Sequence, residues 1–532
     1  MNASDIFIEQ IYWSTAINKM KVTGKLGVNY NKLIEKAKAI TLMQSTEEIM
    51  RWDMETKMPP KGITLRSEQL ALLSGIEHKL VTDSEIGTLL EKIEEHPDYE
   101  NLNALQRRNV YLIRKSYDEQ TKLPMELVVE TERQRTLSVD VWKKAKAAKD
   151  FSMFKPELEK LVDLKKQAAE ILMKVKDTPT PYDALIDIYE PKTTAEMIDK
   201  VFNKLKAGLV SIIEKCQAAP KQPDVSILRR KVPIDVQREI SNSLVRFIEY
   251  DVESKKAGGR IDETEHPFTT GYYDDIRITT HYYEGKFASS VFSVLHEGGH
   301  AIYEQNLNPE WIYQPVGYSC SLGFHESQSR FVENIVGRSR EFWVYYLPKL
   351  KELTGDVFSD VDLDTIVFAI NEVKPSKIRI EADEVTYCLH VIIRFEIERD
   401  LMADKITVAD LPEIWNQKYK EYLGVDIEHD SEGVMQDTHW ASGLQGYFPT
   451  YALGNIYSGQ ILARMKKEIP DWRDQIVKGN FHNVRQWLTK NVHSYGNLYD
   501  AADLIKKITG EEINVKHFLD YLNKKYSKLY GF

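Results

Sequence analysis

Apolar positions recur at helical spacing through most of this 532-residue chain. Between about residues 31 and 250 they lie three and four positions apart, as at Leu33, Ala37 and Ile40, and this spacing predicts amphipathic helices. Helical spacing returns after about residue 284 and continues to the C-terminus. Proline-containing breaks fall near residues 58–62, 122–124, 178–181 and 219–220. The pattern predicts a mainly α-helical protein that forms one large body.

One segment departs from this pattern. From about residue 258 to 284, threonine, tyrosine and isoleucine alternate with polar residues. Alternation with a period of two is typical of strands, and β-branched and aromatic side chains favour them. The segment therefore predicts a small antiparallel sheet immediately before the next helix.

Composition narrows the classes of function. Hydrophobic residues make up 42% of the chain and charged residues 29%, with a formal net charge of −10. A negative chain is a poor partner for nucleic acid or for an anionic membrane surface, so we expect neither as a partner. No apolar run approaches the roughly 20 residues of a membrane span. The acidic N-terminus is unlike a signal peptide, and three scattered cysteines indicate no disulfide framework, so we expect a cytoplasmic protein.

The pattern of apolar positions also divides the chain into two regions. Residues 1–30 match the rest poorly and are expected to be an N-terminal extension of uncertain order. Residues 31–532 are expected to form one helical domain.

The most informative motif begins at His296. His296 and His300 are four positions apart, so on a helix both imidazoles lie on one face and reach a single cation. Glu297 would project beside that cation, in position to take a proton from a metal-bound water. Gly298 and Gly299 each cost a helix interior about 1 kcal/mol relative to alanine, so the pair predicts close packing or substrate approach.

A catalytic zinc ion usually has three protein ligands and one open position. No histidine lies between His300 and His325, and His325 is followed directly by Glu326. From the residues alone, His325 and Glu326 compete for the role of third ligand. Glu304 and Glu333 are weaker candidates.

A set of ordered motifs resembles a known family, the thermostable (Taq-type) zinc metallocarboxypeptidases. The resemblance runs from about residue 31 to the end, with a metal site within residues 266–451. The motifs are His296-Glu-x-x-His300, His325-Glu-Ser-Gln328, His266-Pro-Phe268, Asp275-x-Arg277-x-Thr279, Ile378-Arg-x-Glu381-Ala-Asp-Glu384 and Gly433-x-x-Gln436-Asp-x-His439-Trp440.

The resemblance implies a fold, a cofactor and a substrate class. It implies a mainly helical homodimer with a deep active-site cleft, and Glu326 as the third ligand. The expected cofactor is one Zn²⁺ per subunit, with Co²⁺ or another divalent ion as an alternative. The expected substrates are peptides with a free C-terminus, cleaved with broad specificity.

Roles follow for the catalytic residues. Glu297 is expected to act as general base and then as general acid toward the leaving amine. The tetrahedral intermediate needs hydrogen-bond donors besides the metal. By analogy with related helical zinc peptidases, His439 together with Tyr447 or Tyr451 is expected to supply them, although core packing is the alternative for either tyrosine.

A carboxypeptidase must also recognise a carboxylate, and the planar fork of arginine suits that task. Arg379 is the preferred receptor, with an ion pair on an acid-rich helix as its alternative. Arg277 is expected to support the site from the strand, or to pair with Asp275. His325, if it does not bind metal, would either orient a ligand or face the substrate. Four further polar residues are expected either to orient the ligand histidines or to serve only as contacts between helices: Asp383, Glu384, Gln436 and Asp437.

Two other interpretations of the sequence stay open. A zinc oligopeptidase that cuts internally would share the ligands and the general base, but it would still cleave a peptide whose C-terminus is amidated. A helical peptide-binding scaffold with a vestigial metal site needs no carboxylate beside the metal, so Glu297 disfavours that interpretation.

Overall fold

The computed structural model describes residues 24–532. This part of the chain contains twenty α-helices and three β-strands, which confirms the mainly α-helical prediction. The helices are α1 (Gly24–Thr56), α2 (Ile63–Val81), α3 (Ser84–Glu94), α4 (Ala104–Lys122), α5 (Met125–Ala148), α6 (Phe151–Lys176), α7 (Pro181–Tyr189), α8 (Ala195–Ala218), α9 (Ile234–Phe247), α10 (Phe287–Gln305), α11 (Leu322–Arg330), α12 (Arg340–Thr354), α13 (Leu363–Ala369), α14 (Tyr387–Met402), α15 (Leu411–Leu423), α16 (Pro449–Glu468), α17 (Trp472–Val477), α18 (His482–Asn491), α19 (Ala501–Thr509) and α20 (Lys516–Tyr530). The strands are β1 (Gly259–Glu263), β2 (Thr269–Tyr272) and β3 (Asp275–Thr280).

Several helix ends fall at prolines, although Pro156 and Pro348 lie inside α6 and α12. Pro59 and Pro60 separate α1 from α2, Pro124 is the N-cap of α5, and Pro181 occupies the first turn of α7. Proline lacks a backbone N–H donor, so it destabilises a helix interior, whereas the first turn tolerates it. The predicted breaks near these residues are confirmed.

The first helix begins before the boundary that the sequence pattern placed at residue 31. Residues 24–30 belong to α1, and Leu26 and Tyr30 are buried there. Residues 1–23 lie outside the described part, so the predicted extension stays a prediction.

Two large apolar clusters hold most of the helices together, and a third, small one consists of Tyr273, Tyr303 and Leu307. The larger one extends from α5 to α20 and includes the apolar face of α10. The smaller one joins α1, α3 and α4. Buried polar contacts connect the smaller cluster to the larger body: the Asn109 amide donates to Gln314 Oε1 over 2.8 Å, and Arg108 Nη2 donates to Asp500 Oδ1 over 2.6 Å.

The sheet packs against α10 as predicted, but it is mixed rather than wholly antiparallel. The strand order is β1-β3-β2, with β2 antiparallel and β1 parallel to β3. A two-residue turn at Tyr273 and Asp274 reverses the chain between β2 and β3 and makes them a hairpin. β1 pairs with the opposite edge of β3 and runs parallel to it. Alternation in the sequence identifies strands, but it does not identify their partners.

Candidate metal centre

Three side chains from two crossing helices converge on one point. His296 and His300 come from α10, and Glu326 comes from α11. One ligand atom from each lies within 4.8 Å of the others. Glu326 Oε2 is 3.5 Å from the Nε2 atom of each histidine. Of the two candidates for third ligand, the structure brings Glu326 to the histidine pair.

This donor set fits a divalent cation. Bonds of about 2.0–2.1 Å in a tetrahedral site place ligand atoms about 3.3 Å apart, close to the two measured distances. The histidine side chains are 19% and 15% exposed, whereas Glu326 is 6% exposed. Solvent therefore approaches from the histidine side, where a catalytic ion keeps its open position.

Glycines set the helix crossings that bring the ligands together. A Cβ atom on Gly298 would lie 2.3 Å from Ile248 Cδ1, and one on Gly299 would lie 2.7 Å from backbone atoms of α11. A Cβ atom on Gly454 of α16 would lie 2.7 Å from Cβ and Cγ of Glu326. Close packing is therefore the reason for the glycine pair in the metal motif.

Gly454 yields a test of this packing. Gly454→Ala is expected to displace Glu326 and to weaken zinc binding by about tenfold or more, in the range that supporting residues of metal sites show. The measurement is a competition titration of the metal against a zinc-binding dye. The control is Gly75→Ala, because Gly75 is an exposed position within α2 where a Cβ atom would meet nothing within 4 Å. If Gly454→Ala bound zinc as tightly as the parent, the close packing of α16 would not be what holds Glu326 in position.

The second nitrogen of each ligand histidine is held by another side chain. His296 Nδ1 donates to Glu333 Oε2 over 2.9 Å. His300 Nδ1 contacts His325 Nδ1, and His325 Nε2 lies 2.7 Å from Glu304 Oε1. These contacts fix both rings and direct both Nε2 atoms at the metal position.

These contacts also assign the other sequence candidates. Glu304 and Glu333 are brought to the site, but as partners of the rings. Both ring nitrogens of His325 contact protein side chains, as its orienting alternative requires, and its role in substrate binding stays a prediction.

Arg330 is a site residue that the sequence reasoning missed. Its Nε donates to Glu326 Oε1 over 2.7 Å and its Nη1 donates to Glu333 Oε2 over 3.2 Å. Burial alone would raise the pKa of Glu326 and of Glu333, but Arg330 and the ring of His296 outweigh it. The pKa of Glu333 is held at about 2, so both carboxylates are ionised at neutral pH. The spacing of four from Glu326 was the available signal.

Glu297 lies beside the ligand pair and is anchored by the sheet. The Thr269 hydroxyl on β2 lies 2.6 Å from Glu297 Oε2 and 3.0 Å from the main-chain oxygen of the same residue. Burial raises the pKa of Glu297, while His296 and Thr269 partly offset that rise. A carboxylate with a raised pKa is a better proton acceptor, which suits a general base. No sequence signal pointed to Thr269, since it reaches Glu297 only through the tertiary fold.

His439, Tyr447 and Tyr451 form one cluster. His439 Nε2 lies 3.1 Å from the Tyr451 hydroxyl, and the two tyrosine ring centroids are 5.2 Å apart. Burial and then Arg379 lower the pKa of His439 to about 4, so its imidazole is neutral at neutral pH. Burial and neighbouring groups, including Glu326, raise the pKa of both tyrosines. The three predicted oxyanion donors therefore lie together, and the two tyrosines are close enough to Glu326 for its charge to raise their pKa.

Arg379 lies in a buried polar cluster next to these tyrosines. It occupies a single 3₁₀ turn, Arg379–Glu381, rather than the acid-rich helix expected from the sequence. Its Nη2 donates to Asp437 Oδ1 over 2.9 Å, and its Nη1 donates to the Tyr387 hydroxyl over 3.0 Å. Arg394 Nε donates to the other oxygen of Asp437 over 2.7 Å. One carboxylate is thus shared by two guanidinium groups, which leaves the cluster one positive charge in excess.

Arg277 has a different setting. Its Nε and Nη2 each donate to an Asp275 oxygen over 2.7 Å, and its guanidinium lies 4.2 Å above the Trp52 ring. Arg260 covers the same ring at 4.6 Å. These contacts connect α1 to the sheet. Nε and Nη2 of Arg277 are both used in them.

The four polar residues expected to orient the ligand histidines have other partners in the structure. Asp383 accepts from the Thr386 hydroxyl near the start of α14, and Glu384 accepts from Lys525 of α20. Gln436 accepts from the Arg379 backbone, and Asp437 pairs with its side chain. These contacts match the alternative, in which the four residues serve as contacts between helices. Glu333 and His325 already contact the second nitrogens of His296 and His300.

Fold and ligand set together define a mainly helical, metal-dependent hydrolase. The profile of the carboxypeptidase Taq (M32) metallopeptidases matches residues 32–526. The chain belongs to this family, so the protein is a carboxypeptidase, a hydrolase that acts on peptides. Membership also rules out the non-enzymatic scaffold.

Individual relatives agree with this assignment. Carboxypeptidase 1 of Bacillus subtilis is 39% identical over 498 residues, which cover 93% of this chain and 97% of the relative. Thermostable carboxypeptidase 1 of Thermus thermophilus is 38% identical, with 94% and 99% covered. The crystal structure of an M32 carboxypeptidase from Deinococcus radiodurans R1 superposes with a TM-score of 0.91 at 34% identity, covering 95% of this chain and 100% of that one. Among residues 24–532, no helix is both long and apolar enough to cross a membrane.

Proposed function

We propose that this protein is a zinc-dependent carboxypeptidase of broad specificity that releases residues from the C-termini of peptides. The observation that carries the proposal is the buried carboxylate of Glu297 next to a partly exposed site of two imidazoles and one carboxylate. A structural zinc site closes its fourth position with a protein ligand and has no use for an adjacent base.

The donor types favour zinc as the resident ion. Two neutral imidazoles and a carboxylate are a common catalytic zinc set, and cobalt or another divalent ion fits the same donors. When bound, the ion supplies Lewis-acid activation of water and of the scissile carbonyl. His296, His300 and Glu326 would hold it, with one ion per subunit.

The chain's own residues would move the protons. Glu297 accepts a proton from the attacking water and passes it to the leaving amine, while Thr269 keeps its carboxylate in place. With its proton on Nε2, the neutral imidazole of His439 donates to the Tyr451 oxygen. The phenolic proton of Tyr451 is then free to stabilise the negative oxygen of the tetrahedral intermediate. Tyr447 supports Tyr451 through their ring contact.

Arg379 would recognise the carboxylate at the end of the substrate. The cluster of Arg379, Arg394 and Asp437 carries one positive charge in excess, and a substrate carboxylate would neutralise it. The cluster is buried next to Tyr451, so this attraction acts where screening by solvent is weak. The guanidinium group of Arg277 already donates to Asp275, so Arg277 would only support the site from the sheet.

A comparison of two peptides tests this assignment. Arg379→Gln is expected to lower kcat/KM for a free-acid peptide by about 10- to 100-fold, the worth of a charge-assisted hydrogen bond. Cleavage of the matching amide should change little, because the amide has no carboxylate to lose. The control is Arg277→Gln, for which the acid-to-amide ratio should stay at the parent value. An unchanged ratio in Arg379→Gln would contradict the assignment, and equal parent cleavage of acid and amide would favour an endopeptidase.

Other expectations from the sequence stay predictions. They are the homodimer, the deep cleft, the cytoplasmic location and the absence of nucleic-acid and membrane partners.

A further inference from the structure

A cavity of about 790 Å³ lies between α12, α13, α16 and α20. None of the ligand, base, oxyanion or carboxylate-binding residues described above lines it. Sites for small molecules commonly measure about 300–1,000 Å³, so the cavity is large enough for a ligand of metabolite size. The side chains that line the cavity therefore determine which kind of ligand would bind there.

The walls are strongly basic in a chain that is acidic overall. Eight lysine or arginine side chains line the cavity, against three carboxylates, while the whole chain carries a net charge of −10. The basic residues are Lys221, Arg338, Arg340, Lys466, Arg473, Lys524, Lys525 and Lys528. Positive side chains are thus concentrated at this place, which is the condition for attracting anions.

The three carboxylates are already neutralised. Each pairs with a cation, in the pairs Asp364–Arg340, Glu341–Arg473 and Asp520–Lys516. The lining acids therefore do not compensate the remaining positive charge.

Four of the lysines carry that uncompensated charge. Lys221 follows α8, Lys466 belongs to α16, and Lys524 and Lys528 lie one turn apart on α20. None of the four forms an ion pair with a carboxylate of residues 24–532. Lysines from three parts of the chain converge here, so an anion bound among them would reduce their mutual repulsion.

We propose that this cavity binds a small polyanion, such as a phosphorylated or polycarboxylated metabolite. The four unpaired lysines hold the negative groups. The proposal does not depend on the reaction at the metal centre.

A fluorescent probe tests the site in the zinc-loaded protein. Hydroxypyrene trisulfonate carries three negative groups, and sulfonates are poor zinc ligands. Its emission is followed at mildly acidic pH, where the hydroxyl is protonated. We expect saturable binding that Lys524→Glu combined with Lys528→Glu weakens by about tenfold or more, since two attractions become repulsions.

The matched control reverses the charge of two other exposed helical lysines that have no carboxylate partner. Lys143→Glu combined with Lys174→Glu makes the same change in net charge on α5 and α6, outside the cavity, and should leave probe affinity at the parent value. Equal weakening by both pairs, or no saturable binding by the parent, would overturn the proposal. Thermal unfolding of each variant shows whether the fold is kept.

Competition identifies the class of anion. Fructose bisphosphate and citrate are each added to the probe complex, and zinc content is measured afterwards. Displacement by the first alone indicates phosphate recognition, displacement by the second alone indicates carboxylate recognition, and displacement by both indicates general polyanion binding. Displacement by neither would show that the probe binds through its aromatic rings and would overturn the proposal.

Discussion

Glu297→Gln is expected to retain the metal and to lose about 10²- to 10⁴-fold in kcat, the usual worth of a general base. Glutamine keeps the size of the side chain and can still contact Thr269, but it cannot accept a proton from water. KM should change little because Glu297 binds no part of the substrate in this account. Single-substrate kinetics and metal analysis of the same preparation measure both quantities.

Glu310→Gln is the control, because Glu310 is an exposed acid outside the site and its loss should leave kcat unchanged. A Glu297→Gln variant that holds one ion per chain and turns over at the parent rate would contradict the role of this carboxylate. A variant that loses its metal would instead show that Glu297 supports the ligand pair.

Asp437→Asn is expected to lower the free energy of unfolding by about 3–5 kcal/mol, the cost of leaving a buried charge without its partner. Arg394 is fully buried and Arg379 nearly so, and both depend on the Asp437 carboxylate. Chemical denaturation of parent and variant measures the difference. Carboxypeptidase activity should fall as well, because Arg379 loses the partner that fixes its position.

Asp400→Asn is the matched control. Asp400 pairs with Arg399 and Lys405 at the surface, where such pairs contribute about 0–1 kcal/mol. A loss in Asp437→Asn no greater than in Asp400→Asn would show that solvent reaches the buried cluster.

The pH dependence of the Asp437 effect has a definite sign. Burial would raise the pKa of Asp437, but Arg394 and Arg379 outweigh it and hold the pKa far below the ordinary value. A depressed pKa contributes stability that is fully present above the unfolded pKa of about 3.9 and is lost only as pH falls through the folded value. The difference in stability between the parent and the Asp437→Asn variant should therefore be constant from about pH 8 to about pH 5 and shrink only in strong acid.

The histidine pair of the candidate metal site could be predicted because its geometry is local. His296 and His300 share one face of a single helix, so their spacing alone places both rings together. The choice between His325 and Glu326 was not local. It depends on how α11 crosses α10, which the close contacts at Gly299 and Gly454 determine.

Contacts between distant segments were harder to predict. Thr269 reaches Glu297 from a strand, and Arg394 reaches Asp437 from α14, with no motif linking either pair. The parallel pairing of β1 with β3 likewise depends on tertiary packing, which the alternation of residues does not reveal. In each case the residues were visible, but their partners are set by packing rather than by spacing.

The central claim is that one divalent ion is held by His296, His300 and Glu326. Anomalous diffraction from zinc-soaked crystals, recorded on both sides of the zinc absorption edge, tests it most directly. We predict one peak per chain, about 2.0–2.1 Å from Nε2 of each histidine and from a carboxylate oxygen of Glu326. A peak on other side chains, or no peak among these three in a crystal that binds zinc elsewhere, would contradict it.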